Sequence, residues 1–210
     1  MDLVNNLRMS RVLIIAPHMD DEVIGCSGTI LTIRDQISKL IVVHMAEDEN
    51  RIKEFEKVSA ILRIDEHYNL GCEDGFVNLS YKESVLKLIS IIQNNQIDTV
   101  FIPSSTDDHL DHISTHKIAM DAIGKSRYWS IDHKTCHVQN ILEYEVWSFQ
   151  EKVSVCQDIT NYLEKKKEMM ALYSSQLEFD YLKYIEYING YRGLLFNRTG
   201  YAECFGLTMI

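Results

Sequence analysis

From residue 12 to about residue 124, apolar runs alternate with stretches of helical periodicity, and this alternation narrows the fold more than any other feature of the chain. "VLIIA" at 12–16 and "LIVVHM" at 40–45 are continuous apolar runs, the pattern of strands covered on both faces. "TVFI" at 99–102 repeats the pattern in shorter form and stops at Pro103. Between these runs, Val85, Leu88, Ile89 and Ile92 make one helical stripe, and Ile52, Phe55, Val58 and Leu62 a looser one. A weaker strand around "HYNL" at 67–70 precedes the turn-like "GCEDG" at 71–75. The order β-α-β-α-β-α-β-α predicts an α/β fold, a Rossmann-like and mostly parallel sheet with helices on both faces and right-handed crossovers. "ILEYEVW" at 141–147 is expected to add a fifth strand, and 158–172 reads as an amphipathic helix. The remainder, "YLKYIEYINGYRGLLFNRTGYAECFGL", is aromatic and glycine-punctuated without one period, so a C-terminal flap or small subdomain packed on the sheet is expected. No linker or repeat divides the chain, and residues 1–210 are expected to form a single domain.

Two clusters of metal-capable residues follow strands of this pattern. Pro17-His18-Met19-Asp20-Asp21-Glu22 comes directly after the first strand, and Asp107-Asp108-His109-Leu110-Asp111-His112 after the fourth. In a doubly wound sheet of order 3-2-1-4-5 those two strands are neighbours, and their carboxyl ends flank the crevice where ligands bind. Each cluster alone has a plain structural explanation. Asp20-Asp21-Glu22 can be acidic capping of a helix start, and His109-Leu110-Asp111-His112 a polar loop. Their convergence favours a metal site. Imidazole and carboxylate ligands suit zinc, whose catalytic sites use three protein ligands and an open fourth position. Magnesium prefers oxygen ligands alone, whereas iron(II) also uses two histidines and one carboxylate.

His116, four residues beyond His112, is expected to line the site or pack locally, and His44, His67, His133 and His137 stand outside both clusters. Gly25 and Gly28 are explained by close packing of their helix on the sheet, because acidic residues occupy the place where a phosphate would bind.

The net charge of −10 disfavours nucleic acid and anionic membrane surfaces as partners. The "LEKKKEMM" run at 163–170 is expected to be a solvated helix face. Five scattered cysteines without a CxxC pair argue against a disulfide framework and a thiolate zinc site, and fit a reducing compartment. The N-terminus lacks a signal-peptide core and no apolar run approaches membrane-spanning length, so a cytoplasmic protein without membrane insertion is expected.

"APHMDDEVIGCSGT" followed by "HLDH" resembles the zinc-dependent N-acetylglucosaminyl deacetylases of the PIG-L/LmbE family, which carry His-x-Asp-Asp-Glu and His-x-Asp-His motifs on a Rossmann-like fold. Arg51 and Glu54 are similar to the Arg-x-x-Glu that opens that family's second helix, and Asp74-Gly75, "KKKEMMALYSSQ" (165–176) and "YAECFG" (201–206) have counterparts as well. The resemblance implies His18, Asp21 and His112 as zinc ligands, Asp20 as general base, and His109 as the group that polarises or protonates the reacting amide. It implies Asp111 as the partner orienting a histidine and Arg51 as a substrate contact. Zinc over iron(II), and an N-acylated sugar or sugar conjugate as small-molecule substrate, are likewise implied by the family. Three positions depart from its pattern: Met19 replaces a common proline, "AEDENR" lacks glycines, and Ser174 stands where histidine is frequent.

The chemistry needs these residue types. Zinc lowers the pKa of a bound water from 15.7 towards about 7 and polarises a carbonyl. Asp20, beside a ligand in sequence, can take the water's proton, and a His109 imidazolium can donate to the oxyanion. Either residue can protonate the leaving amine. Deacylation of another small amide (a different amino sugar, a thiol precursor or an antibiotic) and a non-catalytic sugar- or nucleotide-binding module are the alternative functions. Members of the family often assemble into homo-oligomers, although no interface signature stands out. The tyrosines at 181, 184, 187, 191 and 201 can pack internally, line the sugar site or join subunits.

Overall fold

The computed structural model describes residues 2–3, 7–130, 134–176, 178–196, 198 and 200–209. Five parallel strands form the centre: β2 (Arg11–Ala16), β3 (Lys39–Ala46), β4 (Glu66–Cys72), β5 (Thr99–Pro103) and β6 (Asn140–Tyr144). Helices α1 (Asp21–Ile33), α2 (Glu49–Leu62), α3 (Tyr81–Asn95) and α4 (Leu110–Ser126) connect them in the expected order. The sheet runs β1-β7-β8-β6-β5-β2-β3-β4, where β1 is Asp2–Leu3, β7 is Val155–Asp158 and β8 is Ala202–Met209. Its central part is the 3-2-1-4-5 order anticipated for a doubly wound sheet.

Burial on both faces explains the apolar runs. Val12 and Ile14 join the core under α1 and α2, whereas Leu13 and Ile15 join the core under α3 and α4. With both faces covered, a strand shows no polar alternation. Both helical stripes turn to the sheet: Val85, Leu88, Ile89 and Ile92 are buried, as are Phe55, Val58 and Leu62. A methyl group at Gly25 would run into the Tyr144 ring, and one at Gly28 would lie 2.9 Å from Ile159. Close packing therefore accounts for both glycines.

The C-terminal third packs on this sheet and also extends it. Helices α5 (Leu163–Leu172) and α6 (Tyr181–Phe196) contribute Met169, Met170, Ile185 and Ile188 to the α1 side of the core. Strand β8 then enters the sheet antiparallel between β6 and β7. The helix expected over 158–172 starts only at Leu163, because Val155–Asp158 pairs with β8 and a 3-10 turn, Thr160–Tyr162, follows.

Two further expectations are corrected here. Cys156 and Cys204 face each other in the β7–β8 ladder and are disulfide-bonded, with Cα atoms 4.2 Å apart. Their separation of 48 residues hides a cross-strand neighbour that only the ladder reveals. Lys166, in the run expected to be solvated, is fully buried, donating to Ile24 O at 2.7 Å and to Glu203 Oε1 at 2.6 Å. Among the described residues no helix is long and apolar enough to cross a membrane.

Candidate metal and catalytic centre

The two motif loops leave the sheet side by side. Register pairs Val12 with Thr99 and Ile14 with Phe101, so the turns after Ala16 and Pro103 open at the same edge. There, ligand atoms of His18, Asp21 and His112 lie within 4.8 Å of one another, and a second grouping joins His18, His109 and Asp111. Asp21 Oδ2 is the point of convergence, 3.3 Å from both His18 Nδ1 and His112 Nε2 and accepting the His18 backbone N–H at 2.9 Å.

The outer groups orient the inner ones. His18 Nε2 lies 3.1 Å from Asp111 Oδ2 and 3.1 Å from Asp74 Oδ1, which directs Nδ1 towards Asp21. Asp111 is itself fixed by the backbone N–H groups of Gly75 and Val77, at 2.7 and 3.1 Å. On the other side, Asp107 Oδ2 lies 3.3 Å from His112 Nδ1. Carboxylates behind ligating histidines set the tautomer and ring orientation. Asp111 thus stands behind His18, and Asp107 plays the matching part for His112, a pairing the sequence reading did not assign.

His112 is fully buried, yet neither ring nitrogen makes a hydrogen bond, the nearby carboxylate oxygens being poorly aligned with the ring. Burying unpartnered polar atoms is costly. A cation between His18, Asp21 and His112 would give His112 Nε2 a partner, and two nitrogens with one carboxylate oxygen suit zinc or iron(II). The residues fit the group.

The electrostatics agree. Burial opposes charge on His18, but hydrogen bonds with Asp111, Asp21 and Asp74 push it up to about 12. His112 is raised to about 9 against its burial, chiefly by Asp21 and Asp107. Burial likewise opposes ionisation of Asp21, yet His112 and His18 hold its carboxyl far below the usual range. Without metal, protons balance the surplus carboxylate charge here.

Asp20 occupies the N-cap position of α1, its carbonyl accepting the Val23 and Ile24 N–H groups at 2.9 and 3.0 Å. It precedes α1 with φ 127° and ψ −30°, and its side chain makes no capping bond. Side-chain capping therefore does not explain an aspartate at position 20. Burial, reinforced by Asp21 and Glu22 and opposed by Arg51 and His18, pushes its carboxyl well above the ordinary value. Arg51, in the first turn of α2, places Nη1 3.6 Å from Asp20 Oδ2 and donates to Met19 O at 3.4 Å. His109 caps α4 by accepting the Asp111 N–H on Nδ1 at 3.2 Å, which leaves Nε2 to carry its hydrogen. Burial, His112 and His18 lower its pKa, so the neutral ring rather than an imidazolium is favoured.

Beneath the centre lies a network absent from the sequence reading. The fully buried Glu22 accepts from Tyr173 Oη at 2.5 Å, from the Asp20 N–H at 3.1 Å and from His44 Nε2 at 3.1 Å. His44 Nδ1 meets His67 Nε2 at 2.9 Å. The signal was a histidine inside the apolar run "LIVVHM", since a buried imidazole requires a partner. His116 packs locally, with Nδ1 3.0 Å from Pro103 O, and His133 lies outside the described residues. Met19, where proline is common, is buried in the core. Ser174 donates to Glu54 Oε1 at 2.7 Å, tying the end of α5 to α2.

The sequence pattern of the PIG-L family, described as GlcNAc-PI de-N-acetylase, matches residues 13–123, from β2 into α4 and across both motifs. The chain belongs to the PIG-L family. Among solved structures, N,N'-diacetylchitobiose deacetylase from Pyrococcus horikoshii is 25% identical, with a TM-score of 0.85 over 99% of this chain and 87% of that one. A conserved protein from Thermus thermophilus is 24% identical, with a TM-score of 0.83 over 94% of each chain. GalB, the 4-carboxy-2-hydroxymuconate hydratase from Pseudomonas putida KT2440, is 18% identical, with a TM-score of 0.83 over 96% of this chain and 97% of that one. A hydratase on the same architecture means that the fold alone does not specify amide hydrolysis. Membership of the PIG-L family supports a deacetylase role, and the His/Asp grouping is consistent with a metal-dependent one.

Proposed function

We propose that this PIG-L member is a zinc-dependent hydrolase that removes the N-acetyl group from an N-acetylglucosaminyl-type sugar or sugar conjugate. The observation that carries the reading is the convergence of His18, Asp21 and His112 beside a buried carboxylate, Asp20, that is not part of that grouping and makes no side-chain capping bond to α1. His18, Asp21 and His112 would hold the ion, with Asp111 and Asp107 orienting the two imidazoles. When bound there, zinc supplies Lewis acidity that polarises an amide carbonyl and acidifies water.

The chain's own groups supply the rest. Asp20, its pKa raised by burial and its acidic neighbours, accepts the proton of the attacking water. Neutral His109 donates through Nε2–H to the oxyanion that develops on the carbonyl. Asp20, then protonated, returns its proton to the leaving amine. Arg51, held against Asp20 and Asp48, contributes a cationic edge for substrate hydroxyl or anionic groups. The sugar is supported by the family description and by the chitobiose deacetylase neighbour.

The test is release of acetate and free amine from N,N'-diacetylchitobiose and other N-acetylglucosamine conjugates. Activity should disappear with chelator and return on adding zinc. Saturable sugar binding without acetate release, with zinc or with iron(II), would instead mark a binding module.

A further inference from the structure

A cluster of four aromatic rings is tied to the centre through the Trp147 backbone, and the proposed chemistry uses none of them. The Trp147 backbone N–H donates to Asp107 Oδ2 at 3.1 Å, and the same oxygen lies 3.3 Å from His112 Nδ1, so Trp147 is one carboxylate away from the grouped ligands. The Trp147 ring lies 5.9 Å from Tyr181, 5.9 Å from Phe179 and 5.7 Å from Tyr184, measured between centroids. Burial and the charges of Asp20 and Asp21 push the Tyr181 phenol up to about 12. Tyr184 is anchored by its hydroxyl to the Val146 carbonyl.

The rings divide into a base and an open surface. Tyr181 is only 9% exposed, whereas Trp147 is 36% and Phe179 47% exposed. Packing alone would favour covering the large apolar surface of Trp147. Mutual ring contacts and the Tyr184 anchor instead hold Trp147 and Phe179 in place while open, a surface ordered before binding.

We propose that Trp147 and Phe179, backed by Tyr181 and Tyr184, form an aromatic wall that stacks on the apolar face of a pyranose ring of the substrate held at His18, Asp21 and His112. The assignment rests on the sugar-deacetylase reading. Its occupant follows from continuity with the centre and from ring chemistry. One face of a pyranose presents C–H bonds whose slightly positive hydrogens suit the negative face of an aromatic ring. An acyclic acetamide offers no such face.

The experiment uses a Trp129→Phe, Asp20→Asn background, in which Trp147 is the remaining tryptophan of the chain's 2. Zinc-loaded protein is titrated with N,N'-diacetylchitobiose and, as an acyclic control, N-acetylethanolamine, following tryptophan emission. The sugar should change emission saturably and the control should not. Phe179→Ala should weaken sugar affinity about tenfold. In the active enzyme, Trp147→Ala should raise KM about tenfold with kcat within about twofold, and Trp147→Phe should restore most of the loss. Sugar binding without an emission change, with unaltered KM in Trp147→Ala, would overturn the wall. So would dissociation of a homodimer in Trp147→Ala and Phe179→Ala with unchanged sugar affinity, which would give the rings to a second copy. A wild-type protein that deacetylates no sugar, together with a saturable emission change on sugar binding in the single-tryptophan background, would sink the deacetylase reading and leave the wall standing.

Discussion

The backbone N–H of Asp20 donates to the buried carboxylate of Glu22 at 3.1 Å, and Asp20 sits there at φ 127°, a conformation that few residues other than glycine adopt readily. A strained residue persists only where its surroundings over-determine it. Here Glu22 is held by Tyr173 and His44, so the third acidic residue of the motif acts behind the first. Removing the hydroxyl in Tyr173→Phe should leave the zinc stoichiometry unchanged and lower kcat by about 10–100-fold, the usual cost of losing a hydrogen-bonding partner behind a metal site. Steady-state kinetics with elemental analysis checks this, and unchanged kcat would separate the network from Asp20.

Asp20 and His112 should fail differently. Asp20→Asn keeps the side-chain volume and the grouped ligands, so metal content should hold while turnover falls about 10²–10⁴-fold, the range for losing a general base. His112→Ala should instead lower metal content itself, measured after dialysis. Wild-type turnover in Asp20→Asn would remove it from the role of base.

These residues show how far the sequence could be read. Strands buried on both faces announce themselves as apolar runs, the β-α order implies neighbouring first and fourth strands, and the two motifs follow those strands. Long-range pairing is another matter. Nothing in the period of residues 202–209 says that they slot between β6 and β7, and without that ladder neither the Cys156–Cys204 bond nor the Lys166–Glu203 contact could be foreseen. Local pattern likewise could not separate Tyr181, buried against its aromatic neighbours, from Tyr187, which is 62% exposed on the same helix.

Metal binding should release protons. In the metal-free protein His18 and His112 are raised to about 12 and about 9, so both carry protons at pH 7 and must lose them to ligate. Zinc added at pH 7 in weak buffer should liberate about two protons per ion, and affinity should rise with pH, less steeply above about 9, where His112 has already lost its proton. The stability of the metal-free form follows the same groups with the opposite sign. Their contribution is complete below the unfolded histidine pKa of about 6.5 and is lost as pH climbs through their folded values. Calorimetric melting of metal-free protein should therefore fall between pH 6.5 and 9, and a rise across that window would contradict these protonation states.

The buried pair Lys166–Glu203 provides a test of the fold that is independent of catalysis. Glu203 accepts the Gly28 and Thr29 N–H groups at 3.0 and 2.7 Å and faces Lys166 Nζ at 2.6 Å, joining α1, α5 and β8 in a place closed to water. Removing one charge leaves the other buried with no counter-charge, which typically costs about 3–5 kcal/mol. Lys166→Met should lower urea-unfolding stability by that order, since its apolar chain fills the space but leaves Glu203 charged. Adding Glu203→Gln to Lys166→Met should recover part of the loss, because the amide oxygen can still accept a backbone N–H without a buried charge. If the double variant is no more stable than Lys166→Met alone, the cost lies in packing rather than in the uncompensated carboxylate.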